Sequence, residues 1–551
     1  MTRRWIRPLF AAAILLNVSA VFFCFGELNS TLSDISGGDC AWTHQIFYNV
    51  LHGRPFQTSV YRVDGGGVED NRFAYAHDFA IQTNLTIYLF APFYALRQTL
   101  GTLYGLIFIL NYLGIAFWTW KILTKSKTRD PGRKTLLALS GMLLSCGFFW
   151  TIGYQIHPLL FAGPFFFGLY YFLIAGSDAG YYLMLALICL ISEDASLFMI
   201  SWSGYLFLFH PNHRRKAVIT GLASAAWVVF CIKLIQPAAR HSMMLSSASL
   251  VTHGLNMILH PLRPGYVRAN LMELLRSIAV FSPMLAASAL LFNKKPFRLL
   301  APALGLVLLA PASHWVITLW TGGGEHWMPI MLGLLLLNVV LMCPEDGGKP
   351  FPASAADVPK APAWCLAIFV AVNAAGLHWV PLKNFARRTV LPRVLHYRVE
   401  DLAAQAAHNR KVVDYIRTIP KDKSVTFWIN QNLTGYVADR SDFWWFPAYF
   451  AEADFLVMDR QMPERTYDYS PDGISPTREQ EAVLKRLADS DGIFHGAARA
   501  GLSDYLVNTT KTYRILVDDQ DLLVLRRTDS ARIPVPAETL GLGFVKYLAK
   551  R

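Results

Sequence analysis

The sequence predicts a mainly α-helical, polytopic membrane protein with about eleven transmembrane helices and a C-terminal α/β soluble domain. Three observations predict it. The 551 residues are 54% hydrophobic and only 16% charged, against about 25% charged in soluble domains, and mean hydropathy is +0.32. Apolar runs recur from residue 9 to residue 381, many of them close to the ~20 residues a helix needs to cross a bilayer. From residue 382 the composition becomes ordinary, with 25 Lys and Arg against 22 Asp and Glu, and the length suits one soluble domain. The net charge of +13 therefore reads as cytoplasmic loops under the positive-inside bias, with no nucleic acid as partner.

The chain opens with Arg3, Arg4 and Arg7 ahead of an apolar run at 9–26. Val21-Phe-Phe-Cys-Phe25 offers no small-residue cleavage site, so a retained helix with a cytoplasmic N-terminus is expected rather than a removed signal. A long loop, 27–102, follows. Its apolar stretch at 84–96 is too short to span and is interrupted by Pro92. Making it cross would put the basic cluster Lys121, Lys125, Lys127, Arg129, Arg133 and Lys134 outside. It is therefore expected to be a juxtamembrane or re-entrant helix, with 103–123 as the second span.

Alternation then proceeds through 136–153 outward, 159–175 inward, 181–192 outward and 197–209 inward to His213-Arg-Arg-Lys216. The run 217–235 leads out to a loop at 237–275, and 277–292 returns. The run 299–320 reaches an outer Thr321-Gly-Gly-Gly-Glu325-His326, 328–343 returns, and 364–381 exits. Two domains follow from this: 1–381, transmembrane, and 382–551, extracytoplasmic. The expected location is a bacterial inner membrane. Of the seven cysteines only Cys40 falls outside the predicted spans, so no disulfide framework follows.

In the soluble domain a helix is expected over 400–418, ending before Ile419-Pro420. Residues 424–428 and 453–458 read as buried strands, 479–488 as a helix, and 514–517 with 522–526 as a hairpin across Asp518-Asp-Gln-Asp521. No Gly-rich phosphate loop follows a strand.

This topology places four polar clusters at one membrane depth: Asp39/His44/His77/Asp78, Gln155/His157, Glu193/Asp194 and Glu325/His326. Ionisable groups at that depth are costly unless they pair or face a cavity, so a water-accessible polar site is expected there. A catalytic carboxylate with apolar walls for a lipid tail would suit it. Blander readings stand beside this one. Asp39 could cap a helix starting at Ala41, His44 could be an interfacial polar position, and Glu193-Asp194 a helix-end connector.

The spacing Asp39-x₅-Gln45-x₇-Gly53, then His77 and Leu89-Phe-Ala-Pro92-Phe-Tyr, resembles a bacterial membrane-protein family of unknown function. That family is related to the GT-C class of lipid-linked-sugar glycosyltransferases. His157-Pro158, Ser192-Glu193-Asp194-Ala, Glu325-His326-Trp327, Asp439-Arg440 and Ala453-Asp454-Phe-Leu-Val-Met-Asp459 also fit it. The resemblance implies a GT-C-like fold with juxtamembrane helices in the first extracytoplasmic loop. It also implies transfer, with inversion, of a sugar from a polyprenyl-phosphate donor to a glycan, lipid or protein acceptor. Asp39 falls at the first-loop Asp and is expected to be the general base, with His77, Glu193 and Asp194 also catalytic. Gln45, Arg54, His157, Arg263, Glu325 and His326 are expected to contact substrate, and the tail would lie along 165–172. Here Cys40 follows Asp39 where mannosyltransferase-type relatives have Glu, and His157 stands where many have Asp. A divalent metal ion is left open as cofactor. The competing classes are a transporter or flippase, which would carry mid-depth charges and repeated halves, and a non-catalytic envelope assembly protein.

Overall fold

The structure is a computed structural model that describes residues 37–54, 57–58, 76–77, 85–143, 158–235, 299–315, 327–343, 399–429, 431–440, 443–445, 453–460, 505–509 and 511–529. Residue 503 and several helical positions between 281 and 291 are described as well. The predicted spans 9–26 and 364–381, the loop 237–275 and the helix 479–488 lie outside the described residues.

The first element, α1 (Gly37–Leu51), begins earlier than the helix expected from Ala41. Asp39 therefore sits in its first turn and is not its cap. Gly37 and Gly38 disfavour a helix start, but Ala41, Trp42, Ile46 and Phe47 are buried against the rest of the molecule, and that packing outweighs propensity. Gly53 closes the helix at φ +75°, a left-handed conformation that glycine adopts without Cβ strain. Short strands β1 (Gln57–Thr58) and β2 (Ala76–His77) pair antiparallel, with Gln57 opposite His77. A 3-10 turn, Leu85–Phe90, then leads into the four-residue helix α2 (Ala91–Tyr94). These elements fit the short, non-spanning segment expected at 84–96. Leu89, Phe93 and Leu96 are exposed while Phe90, Ala91 and Tyr94 are buried.

Helix α3 (Leu100–Lys125) starts at a Thr99 cap, and α4 (Pro131–Leu143) follows. Helix α5 (Ala162–Ala175) continues from the 3-10 turn Pro158–Phe161. It reverses at Gly176, again at φ +75°, into α6 (Asp178–Cys189), capped by Ser177. Helix α7 (Glu193–Phe209) starts at a Ser192 cap whose Oγ accepts from the Ala195 N–H at 3.1 Å. Glu193 and Asp194 are thus first-turn residues of α7 and not a connector. Anionic side chains there are favoured by the helix dipole by about 0.3–1 kcal/mol. Helix α8 (Arg214–Phe230) runs on as a π stretch, Cys231–Ile235. A second π stretch, Gly305–Leu309, extends α9 (Leu300–Leu304), and α10 is Trp327–Leu341. Among the described residues two segments, Leu100–Lys125 and Pro158–Ala175, are long and apolar enough to cross a membrane, and Asp178–Cys189, Leu300–Leu309 and Met328–Leu341 are shorter apolar helices.

Packing within the bundle fixes relative directions. Asn111 of α3 donates to the Leu160 carbonyl at 2.8 Å, and Trp118 packs on Tyr171 of α5, so α3 and α5 run parallel. Gly163 accommodates Met328 at the starts of α5 and α10, and Tyr170 farther along α5 lies near Cys343 just past the end of α10, so α10 runs parallel to α5. Glycines allow such close approach where no hydrophobic force separates helix from lipid. A Cβ on Gly333 of α10 would lie 2.6 Å from the Leu306 carbonyl oxygen, and backbone cannot move aside cheaply. Gly333→Ala is expected to destabilise the bundle by about 1–3 kcal/mol, as overpacking does. A thermal midpoint in detergent that matches wild type would disprove this.

These directions gather the basic loops at one end. Lys134 Nζ donates to the Met342 carbonyl at 2.9 Å, just beyond α10. Lys216 pairs with Asp178 at 2.6 Å. The end of α3, the α5–α6 turn, the start of α8 and the end of α10 therefore share that end. Leu100, Pro158 and the first turn of α7 lie at the other.

The C-terminal part is a five-stranded mixed sheet of order β4-β3-β5-β7-β6. Strands β3 (Val425–Trp428), β4 (Phe443–Trp445) and β5 (Phe455–Asp459) are parallel; β6 (Tyr513–Asp518) and β7 (Leu522–Arg527) form the expected hairpin. β3 and β5 are buried throughout, as continuous apolar strands of parallel sheets are. Ser424 and Asp454 lock their register: the Ser424 N–H and Oγ both donate to Asp454 Oδ2 at 3.0 Å. Helices α11 (Val399–Thr418) and α12 (Gln431–Thr434) accompany the sheet, α11 within one residue of its predicted start.

Candidate active site

The end of the bundle opposite the basic loops is assembled from the first-loop elements. The 85–90 turn is tied to the α6–α7 junction: the Thr86 N–H donates to the Leu190 carbonyl at 3.0 Å and its hydroxyl to Leu187 at 2.7 Å. Phe90 stacks on Phe161, with ring centroids 5.0 Å apart. That contact brings this turn against the start of the segment entering α5. Tyr94 of α2 packs on Phe47 and His44 of α1, with centroids 5.6 Å away in each case. β1 follows α1 directly and pairs with β2, which carries His77. The elements bearing Asp39, His77, Glu193 and Asp194 thus converge on one end of the molecule.

Glu193 is buried and Asp194 half-buried. Asp39 and His77 are placed by their backbones, in the first turn of α1 and opposite Gln57. Arg54 is half-buried beyond the end of α1, its N–H bonded to the Asn49 carbonyl at 2.8 Å. Gln45 is fully buried and donates to the Arg440 carbonyl at 3.3 Å. His157, Arg263, Glu325 and His326 lie outside the described residues, although Pro158 and Trp327, their chain neighbours, start described elements. Among the described residues no group of three or more His, Cys, Asp or Glu side chains is arranged to hold a metal ion. The described cysteines Cys189, Cys231 and Cys343 are buried thiols.

The α/β domain docks on this same end, through α1. His44 Nδ1 lies 2.8 Å from the Gly435 carbonyl, and Lys421 bonds Asp439 while lying 5.6 Å from the Tyr48 ring centroid. His44 is 2% exposed, and burial pushes its pKa below the usual histidine value, opposed by Asp439 and the Gly435 bond. Arg440, also 2% exposed, donates to the carbonyls of Val437 and Ile416 at 3.3 and 2.9 Å. Burial lowers its pKa to about 10.

Within the domain a second polar cluster runs from a buried pair, His408 and Asp459, out to the exposed Lys411 and the half-buried Asp519. His408 Nε2 and Nδ1 lie 2.8 and 3.0 Å from Asp459 and Asp521. Lys411 pairs with Asp521 and Asp519 at 2.6 and 2.9 Å. Burial alone would lower the His408 pKa, but the two carboxylates outweigh it and raise the value. The Lys411 ammonium and two backbone N–H groups hold Asp519 down to about 2. Sequence reasoning missed this cluster. His408 and Lys411 are one helical turn apart, which was visible, but only the sheet order brings Asp459 and Asp521 to them.

The sequence profile of a family described as DUF2079, predicted membrane protein, matches residues 39–469. Among solved structures, ArnT from Cupriavidus metallidurans bound to undecaprenyl phosphate is similar at 11% identity and TM-score 0.47, covering 97% of this chain and 100% of that one. The Archaeoglobus fulgidus oligosaccharyltransferase in complex with Zn and sulfate is similar at 11% identity and TM-score 0.39, covering 82% and 68%. Comparison with curated proteins returns no match.

Proposed function

The chain belongs to the DUF2079 family of predicted membrane proteins, and from that premise we propose that it is an integral-membrane glycosyltransferase of GT-C type. It transfers a sugar from a polyprenyl-phosphate donor to an acceptor at the extracytoplasmic face. The observation that carries this reading is the segregation of charge along the bundle. The basic loops share one end, where Lys134 and Lys216 engage Met342 and Asp178. The elements of Asp39, His77 and Glu193, with the α/β domain, share the other. The positive-inside bias makes the basic end cytoplasmic, which puts the acidic end and the α/β domain outside.

In the reaction Asp39 takes the proton of an acceptor hydroxyl as that oxygen attacks the anomeric carbon. The bond from that carbon to the lipid phosphate breaks on the opposite side, the configuration inverts, and the polyprenyl phosphate leaves with the electron pair. Arg54, His77 and Arg263 are the cationic or hydrogen-bonding groups assigned to the phosphate. Glu193 and Asp194 orient the sugar, with Gln45, His157, Glu325 and His326 completing the contacts. The aromatic face around 165–172 takes the tail.

The test uses the full-length protein in lipid nanodiscs with a set of polyprenyl-phosphate sugars, read by mass spectrometry. Donor-dependent release of polyprenyl phosphate, with the sugar on an acceptor or on water, is the expected result. Net movement of intact donor across the bilayer without release would replace this reading with transport.

A further inference from the structure

Two side chains of α1, five and six residues after Asp39, make polar contacts to the α/β domain. His44 Nδ1 is 2.8 Å from the Gly435 carbonyl, and Gln45 Nε2 donates to the Arg440 carbonyl at 3.3 Å. Both side chains are buried, and their partners lie 391 and 395 residues away along the chain. The accepting segment is itself rigidly held. Gly435 and Arg440 flank a buried stretch that includes Val437 and Ala438, and the Arg440 guanidinium fastens that stretch to the Ile416 carbonyl of α11 at 2.9 Å. A carbonyl can only accept, so His44 carries its proton on Nδ1. Its Nε2 is buried with no hydrogen-bond partner among the described residues, as is the hydroxyl of Tyr94, whose ring stands edge-on to the imidazole at 86°.

We propose that the α/β domain clamps the helix bearing Asp39, with His44 and Gln45 as positioning residues that set its rotation and height over the bundle. The assignment of Asp39 as base rests on the function proposed above; the clamp itself rests on the contacts. A helix held at two adjacent positions by carbonyls of a rigid body can neither rotate nor slide. Misplacement of a catalytic group by about 1 Å can cost on the order of 100-fold in rate. The clamp also works in one protonation state only. Protonated His44 would carry an Nε2–H into an interface where no acceptor among the described residues meets it. The charged groups acting on the ring are Asp439, which favours protonation, and Lys421 and Arg417, which oppose it. Tyr48 and Tyr94 of the first-loop elements and Arg440 of the domain are further ionisable groups of this interface, and Asp439 acts on all three. Acid is thus expected to loosen α1.

The experiment compares wild type, His44→Ala, His44→Asn and Gln45→Ala as full-length protein in nanodiscs. It measures hydrogen exchange of the peptides covering residues 37–51 together with transfer kinetics. An Asn amide donates from nearly the same place as Nδ1, so it rescues a positioning role. His44→Ala is expected to speed exchange across α1 about tenfold or more, since local opening governs exchange. It should lower kcat by roughly 10–100-fold with donor KM within about threefold, and His44→Asn should restore both. Once corrected for the intrinsic exchange rate at each pH, the protection of α1 in wild type should fall on acidification, and His44→Asn should abolish that fall. Unchanged α1 exchange in His44→Ala, or His44→Asn as defective as His44→Ala, would overturn the clamp. Exchange that responds as expected while wild type releases no polyprenyl phosphate sustains the clamp and sinks the glycosyltransferase reading instead.

Discussion

Asp39→Ala is expected to abolish sugar transfer while leaving expression and membrane insertion at wild-type levels. The two effects separate because their magnitudes differ. A carboxylate in the first turn of a helix contributes only about 0.3–1 kcal/mol through the dipole, and α1 is held by the burial of Ala41, Trp42, Ile46 and Phe47. A general base contributes about 10²–10⁴-fold in rate, so losing it removes activity from a protein that still folds. Asp39→Asn keeps the volume and a local hydrogen-bonding group but cannot take the proton, and it should be as inactive as Ala. Full transfer by either variant would remove Asp39 from the mechanism. A matching loss of folded protein would make its role structural.

His408→Ala is expected to be the most destabilising single change in the α/β domain. With both ring nitrogens facing carboxylates the side chain is an imidazolium, and its removal takes away the cation that lies 2.8 Å from Asp459, a carboxylate 2% exposed. Breaking a buried pair from one side costs about 3–5 kcal/mol. The pH dependence has a definite sign. The folded pKa of His408 lies above its unfolded value, so its contribution is fully present below about pH 6.5 and is lost as pH rises through the folded value. Unfolding of the full-length protein followed by exchange of the β5 and β7 amides should therefore show wild type losing stability on the alkaline side, and His408→Ala lacking that loss. Parallel pH profiles for the two would disprove the assignment. Together with the clamp, this sets two histidines of opposite character, one at the domain's interface with α1 and one inside the domain. His44 works neutral and His408 works charged, because one faces a carbonyl and the other two carboxylates.

Several elements were legible residue by residue. The helix before Ile419-Pro420 and the hairpin across Asp518–Asp521 lie within one or two residues of expectation, because periodicity, a proline stop and a polar turn are local signals. The short non-spanning segment at 84–96 was readable from length, Pro92 and the basic cluster beyond it. The start of α1 was not: Gly37-Gly38 argues against helix, and tertiary burial overrode it. Nor was the role of Glu193-Asp194, which a connector and a capped helix start explain equally well until Ser192 is seen to cap α7.

The sequence by itself determined that the chain is mostly apolar and helical, with an α/β part toward its C-terminus and a polar first loop carrying Asp39. Hydrophobic run length, charge placement and strand alternation are written in order along the chain. Only the tertiary structure decided what that loop rests on. The bonds of His44 to Gly435 and of Gln45 to Arg440 span 391 and 395 residues, and no local periodicity encodes a partner at that separation. The same holds for His408, whose two carboxylates meet it only because β7 inserts between β5 and β6. Such contacts come from the order in which strands and helices pack, a property of the whole fold rather than of any stretch within it.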